Sequence, residues 1–318
     1  MNIKRIARRI IKGDPNEHAL RQYGKRLNQY SFTDCQCEYP EQFEASITRL
    51  YHTIEKGLSY ENYRAGFGEK NINTLMTTLE QYAAKRYDIS SFAYRTGLSC
   101  INAYIAKNRE CGLENTELEE RAGKLPGLAN DCGGVITITP PTAPEKMTFR
   151  ELMVSRHSIR HFSDQPVDRE TLIKAIDLAQ YTPSACNRQS WKTRIITDKK
   201  TIEGVLTNQN GNQGFGQEID KLLIITADLR AQQKNRELFQ AYIDGGMYAQ
   251  NVLNSLFSFG IGSIPLSASL TETQEKNVRT IMKIDDAEVL IMFIGIGTYP
   301  ESCMTARSER HKAVTEIL

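Results

Sequence analysis

Residues 155–162 read Ser155-Arg156-His157-Ser158-Ile159-Arg160-His161-Phe162, so that two arginines, a histidine and a serine fall within five positions, just after the apolar-periodic run Phe149, Leu152, Met153. Guanidinium groups present planar forks of N–H donors that match a phosphate, and a helix end adds aligned N–H dipoles for the same charge. The cluster reads as an anion cradle. Taken alone it reads better as a solvated basic turn, and the segments downstream are what favour the cradle.

The bulk numbers bound the possibilities. A chain of 318 residues with 40% hydrophobic content can bury a large core, as one big domain or two modest ones. A net charge of +2 leaves no dominant basic face, which argues against nucleic-acid binding, and attraction of an anion must then be local. The seven cysteines (Cys35, Cys37, Cys100, Cys111, Cys132, Cys186, Cys303) are odd in number, scattered, and contain no C-x-x-C pair, so neither a disulfide framework nor a zinc site is expected. With no signal-like h-region and no run of about 18 apolar residues, the expected location is the cytoplasm. Near the start, Ile3, Ile6, Ala7, Ile10 and Ile11 fall on one helical face, with Lys4, Arg5, Arg8, Arg9 and Lys12 on the other. That pattern suits a weak membrane-surface contact through residues 3–12, or a capping helix packed on the rest of the protein; Gly13-Asp14-Pro15 ends it either way.

Thr139-Pro140-Pro141-Thr142-Ala143-Pro144 fixes φ at three sites and reads as a semi-rigid linker. The expected organisation is a mainly helical region over 1–140, a Pro-rich linker over 141–146 and a second domain over 147–318. In the first region, helical periodicity recurs around Phe43, Ile47, Leu50 and Ile54, around Ile72, Leu75, Met76 and Leu79, and from Phe92 to Ile105, with one possible strand over Gly134 to Thr139. After the linker, helices are expected at 169–180, 236–259 and 272–282, and strands at 193–197, 221–227 and 288–295. Alternation without a regular βαβ rhythm indicates an α+β domain, its central mixed or antiparallel sheet flanked by helices.

Several tempting motifs fail. Gly211-Asn212-Gln213-Gly214-Phe215-Gly216 precedes a strand, whereas a dinucleotide fingerprint follows one. Gly295-Ile296-Gly297 lacks the third glycine and the helix, and reads as a turn. His157 and His161 have no third ligand nearby, so no metal is expected.

Four segments remain: Arg156 to Arg160; Thr182-Pro183-Ser184-Ala185-Cys186-Asn187-Arg188-Gln189-Ser190-Trp191; the glycine-rich helix exit Phe259-Gly260-Ile261-Gly262-Ser263-Ile264-Pro265-Leu266-Ser267-Ala268; and the basic tail Arg307-Ser308-Glu309-Arg310-His311-Lys312. In this order and spacing they resemble the FMN-dependent nitroreductase family, with its R-[RH]-S-x-[RK]-x-F, P-S-x-x-N-x-Q-P-W and G-[IL]-G-x-x-P segments and basic tail. The resemblance covers residues 147–318. It implies the nitroreductase-like fold and a homodimer with FMN at the subunit interface. The reaction it implies is ping-pong two-electron (hydride) transfer from NAD(P)H through flavin N5 to a small acceptor such as a nitro compound or quinone. By resemblance, Arg156, Ser158 and Arg160, supported by His157, hold the FMN phosphate and ribityl end, with Arg310 adding a further charge. Pro183, Ser184, Ala185, Asn187 and Gln189 reach the flavin from the partner subunit, and Asn212 lies near its pyrimidine edge. Pro265, Leu266, Ser267 and Ala268 form the loop whose backbone at Leu266 and Ser267 orients N5.

Departures from the pattern are Ser190 in place of Pro, Ser267-Ala268 in place of Glu-Gly, and Glu309 where a tail lysine is usual. Between Ala227 and the helix containing Asp244 the stretch is short, where many relatives insert a lid. The segment Tyr51 to Gly68 is polar and glycine-punctuated; His52, Glu55, Lys56 and Arg64 could contact a polar substrate, or the helix simply stops at Gly57. Two other readings stay open: a flavin-dependent dehydrogenase or tailoring enzyme whose first region shapes the substrate site, and a non-catalytic adaptor at a membrane surface.

Overall fold

The computed structural model describes residues 15–32, 36–127, 132–233 and 237–318; the basic stretch 3–12 lies outside them. Contacts divide the chain into two compact units. One holds the described residues up to Leu27 together with Thr139–Ser302, and the other holds Asn28–Ile138 together with Cys303–Leu318.

After α1 (Pro15–Tyr30), the helical unit contains α2 (Pro40–Leu58), α3 (Glu69–Ala84), α4 (Phe92–Glu110) and α5 (Thr116–Gly123). Local chemistry starts these helices. Gln42, in the first turn of α2, accepts the backbone N–H of Glu38 at 2.7 Å through Oε1, and Ser91 accepts that of Tyr94 ahead of α4. Ile47, Leu50 and Ile54 of α2, Leu75, Met76 and Leu79 of α3, and Leu98 and Ile101 of α4 form one core, as their helical spacing requires. Gly57 does not stop α2, which runs on to Leu58. A β-carbon there would overlap the ring of Phe67, so this glycine serves close packing instead of termination. The polar stretch after it is strapped down. Asn108 Oδ1 accepts the Tyr63 hydroxyl at 2.6 Å and the Gly66 N–H at 2.9 Å, while the Tyr104 hydroxyl donates to Phe67 O at 2.9 Å. β1 (Val135–Ile138) pairs antiparallel with β6 (Cys303–Ala306), which brings the chain's last segment into this unit.

The other unit is built on a four-stranded antiparallel sheet in the order β2 (Trp191–Ile196), β3 (Lys221–Asp228), β5 (Glu288–Thr298), β4 (Ile261–Ser267). Its helices are α6 (Phe149–Ser155), α7 (Arg169–Ala179), α8 (Lys199–Leu206), α9 (Gln240–Ser258) and α10 (Glu272–Met282). Side-chain caps punctuate them: Asp168 accepts from Thr171 N, Asp198 from Thr201 N, and Thr148 with Glu151 and Thr271 with Gln274 form capping boxes. Leu172 and Ala175 of α7, Tyr248, Val252 and Leu256 of α9, and Leu223, Ile225, Ile294 and Ile296 of the sheet make the core. Each fully buried Leu or Ile there contributes about 1.5–3 kcal/mol. The α+β expectation holds, with an antiparallel sheet carrying helices.

Two glycine-rich stretches differ from expectation. Gly260–Ala268 is no mere helix exit: residues 261–267 form the strand β4, and Gly295-Ile296-Gly297 lies inside β5 instead of in a turn. Pro265 is tolerated because β4 is an edge strand, where a missing N–H costs the ladder nothing on the open side.

Candidate functional site

The segment after α6 leaves the helix in extended conformation at Arg156, whose N–H bonds Leu152 O at 3.1 Å. It therefore follows a helix C-terminus, where carbonyls are presented, so the expected N–H dipoles do not reach it from α6. Farther on, Ile159 N–H donates to Ser263 O of β4 at 2.9 Å and Ser163 N–H to Thr298 O of β5 at 3.0 Å. Ile159 and Phe162 are buried between these two anchors. Arg160 is itself buried at 7% exposure, while Arg156, His157 and Ser158 are half-buried. His157 Nδ1 lies 2.8 Å from Ser155 O, and His161 Nδ1 lies 2.7 Å from Glu218 Oε2. The same Glu218 oxygen accepts the Phe162 N–H at 3.1 Å. Glu218 was not legible beforehand, because nothing local ties it to a segment 56 residues earlier.

Pro265, Leu266 and Ser267 lie on β4, in register with Ile294, Phe293 and Met292, and Ala268 follows just past it. Gln209, also unanticipated, donates from Nε2 to Ser267 O at 3.0 Å and accepts the Gly211 N–H at 2.6 Å. Asn212 directs its amide nitrogen to Leu206 O at 2.8 Å and Gln209 O at 2.6 Å. Its donors thus organise the loop, which leaves only its carbonyl oxygen for any ligand edge. The edge strand β4 gathers the 156–163 segment and the Gln209–Asn212 loop.

The segment 183–189 is fastened elsewhere, to α9 and the residues before it. Ala185 N–H donates to the buried Asp244 carboxylate at 3.2 and 3.3 Å, and Arg188 grips Glu237 through Nη1 at 2.7 Å and Nη2 at 2.9 Å. That guanidinium holds the Glu237 carboxyl below the ordinary carboxylate range. Ser184 Oγ accepts the Gln189 N–H at 2.9 Å. Cys186, Asn187 and Gln189 all have positive φ; Asn187 and Gln189 are exposed, and Gln189 Nε2 donates to Asn187 Oδ1 at 3.0 Å. Pro183 is also exposed. Trp191 stacks on Tyr248 at 4.7 Å between centroids, a core contact.

Arg310 belongs to the helical unit, where its charge acts on Tyr51; burial nonetheless pushes that phenol up to about 12. In the same unit Glu55 is fully buried with His52 Nδ1 at 3.6 Å from Oε2, and burial, helped by Glu55, raises the Cys100 thiol. Lys56 is half-buried and Arg64 exposed.

Comparison with known proteins places this geometry in context. The profile of the Nitroreductase family matches residues 153–209 and 203–298. A Streptococcus pyogenes protein with a provisional NAD(P)H nitroreductase name is 50% identical over 54 residues, which is 17% of this chain and 27% of that protein's length. A provisionally named NADH dehydrogenase/NAD(P)H nitroreductase of Archaeoglobus fulgidus is 25% identical over 154 residues, 48% of this chain and 84% of that protein. Among solved structures, an FMN-dependent nitroreductase from Clostridium difficile aligns with TM-score 0.42 and 20% identity over 53% of this chain and 92% of its own. A nitroreductase family protein from Streptococcus pneumoniae gives TM-score 0.41 and 19% identity, over 54% and 96% of the respective chains. Over residues 153–298, then, this chain resembles the nitroreductase family.

Proposed function

We propose that the protein is a homodimeric FMN-dependent NAD(P)H oxidoreductase acting on a small organic acceptor such as a nitro compound or quinone. The observation that carries this reading is the hydrogen bond from Ile159 N–H to Ser263 O, because it fastens the arginine-bearing segment to the strand that carries Leu266 and Ser267. One rigid edge thereby holds donors suited to a phosphate and, along the same strand, backbone suited to an isoalloxazine ring. The donor set fits FMN chemically. A phosphate in a half-dry site needs several charge-assisted donors, and Arg156, Arg160, Ser158 and His157 offer guanidinium, hydroxyl and imidazole groups. Bound there, FMN would supply two-electron redox chemistry at its N5 position.

The chain's own residues bind and orient. Arg156 and Arg160 carry the charge, with Ile159 and Phe162 fixing their spacing. Gln209 holds the carbonyl of Ser267, so the end of β4 cannot swing away. The 183–189 segment presents Asn187 and Gln189 outward, as residues serving a partner subunit's site would be. An apolar surface on α9, formed by Tyr242, Ile243 and Met247, supports dimerisation because such a patch on a long helix calls for a cover. The test is the visible spectrum of the native protein. Flavin absorbance that bleaches on adding NADH or NADPH supports the reading, and a colourless monomer that takes up no added FMN refutes it.

A further inference from the structure

Helix α1 poses a question that the flavin site does not answer. From Glu17 to Tyr30 every side chain is exposed, around the whole circumference; the one glycine, Gly24, is half-buried. Leu20, Tyr23, Leu27 and Tyr30 nevertheless fall at i, i+3, i+7 and i+10, a single apolar stripe whose members are each about half exposed. The ring of Tyr23 touches that of Phe239 at 5.4 Å, itself an exposed aromatic. A helix of 16 residues is marginal in water unless something covers its apolar face.

Charge indicates what that cover is. Arg21, Lys25 and Arg26 lie beside and opposite the stripe, with Glu17 as the one acidic side chain of the helix. Residues 1–30 carry eight Lys and Arg against two Asp and Glu, although the whole chain has a net charge of only +2. The positive charge is thus concentrated at one end of an otherwise acidic protein. An arm-to-arm pair of two copies would bring like charges together across a twofold axis. An anionic bilayer offers the opposite: apolar depth for the leucines, a headgroup boundary suited to tyrosine, and negative charge for the flanking cations.

We propose that α1 is an interfacial arm that docks the protein on an anionic phospholipid surface, with Leu20 and Leu27 buried among the acyl chains, Tyr23 and Tyr30 at headgroup level, Arg26 beside the stripe at the lipid phosphates, and Arg21 and Lys25 on the polar face adding longer-range attraction to the charged surface. This function is independent of the flavin reading. Its test is co-sedimentation of the full chain with vesicles of phosphatidylcholine alone and of phosphatidylcholine with phosphatidylglycerol, at low and high salt. Binding is expected only to the phosphatidylglycerol vesicles and weakens as salt screens the cations. Replacing Arg21, Lys25 and Arg26 together by Gln lowers affinity at least about fivefold, the worth of one cation at the surface, with the two on the polar face adding less. The exposed pair Leu20→Gln and Leu27→Gln abolishes binding with the circular-dichroism melt unchanged. The proposal is overturned by equal binding to neutral vesicles, by no binding to either, or by wild-type binding of both variants. It is equally overturned if the leucine variant turns a lipid-free oligomer into a monomer while sedimentation with vesicles is unaltered, since the stripe then covers a second copy.

Discussion

A β-carbon on Gly297 would stand 2.6 Å from Cδ1 of Phe162. The aromatic ring that ends the arginine-bearing segment fills a notch made by the absence of a side chain on β5, and the cross-strand neighbour Gly262 widens that notch, since a β-carbon there would stand 3.3 Å from Phe162 Cε1. Backbone hydrogen bonding at Ile159 fixes the middle of the segment; ring packing at Phe162 fixes its far end.

Gly297→Ala should therefore cost about 1–3 kcal/mol, the usual penalty for overpacking a filled site. Neither the strand backbone nor the Phe162 Cβ, which stands 2.9 Å from the same point, can retreat easily. Thermal denaturation of the variant measures the loss. If the segment bears the cofactor, flavin retention falls alongside stability, whereas a similar substitution at Gly123 of α5, where nothing stands within 4 Å of a β-carbon, leaves retention unchanged.

Arg156→Gln and Arg160→Gln test the cradle itself. Each removes charge-assisted hydrogen bonds worth about 1.5–3 kcal/mol, so flavin affinity drops roughly 10- to 100-fold per substitution. Flavin fluorescence titration of apoprotein provides the measurement. Arg310→Gln belongs in the same series, since a tail arginine that serves the phosphate behaves like Arg156, and one confined to the helical unit does not.

How far these features could be read from residue order depends on the range of the interactions behind them. Helix 272–282 and the helix starting at Arg169 were legible because their apolar spacing and the caps Thr271 and Asp168 are local. The strand β4 was not, because Gly260, Gly262 and Pro265 look like breakers until an edge position and the approach of Phe162 explain them. The short helix α8 is not legible in the sequence despite its Asp198 cap, since eight residues hold too few apolar repeats. The arginine segment is legible because its charged residues cluster within five positions. Glu218, Gln209, Glu237 and Asp244 are not, because each partners residues far away in the chain and no spacing rule reaches that distance.

Glu288 gives a pH dependence of defined sign. This carboxylate is buried at the start of β5, gripped by Arg194 at 2.7 and 2.8 Å and by Lys192 at 2.7 Å, with the Thr226 hydroxyl donating at 2.5 Å. Those hydrogen bonds, led by Arg194, pull it down to about 2 from an ordinary 4.5. A depressed carboxyl stabilises the fold fully above its unfolded value and loses that contribution as pH falls from there toward 2. The expected stabilisation at neutral pH is about 3 kcal/mol. Chemical denaturation of Glu288→Gln at pH 7 should show a deficit of that order, because it leaves the half-buried Arg194 without its counter-charge. Between pH 4 and 2 the wild type and variant should converge.

The strained loop 184–189 yields a prediction in the opposite direction. Cys186 sits at φ 52° and Gln189 at φ 49°, in the left-handed region that an L side chain enters at a cost of roughly 1 kcal/mol each. Such strain persists only where surrounding contacts over-determine it. Here these are the Asp244 carboxylate on Ala185 N–H and the Arg188–Glu237 fork. Cys186→Gly, at an exposed position, should raise stability by up to about 1 kcal/mol, since glycine reaches the same φ without a clash. Glu237→Gln should do the reverse by loosening the fork, and the loop becomes a site of early proteolytic cleavage. Because Arg188 holds the Glu237 carboxyl below its ordinary value, acid produces the same loosening only when pH falls below the ordinary carboxylate range. A stability gain in Cys186→Gly accompanied by unchanged cleavage in Glu237→Gln would show that the strain is held by the chain's own turn and not by the fork.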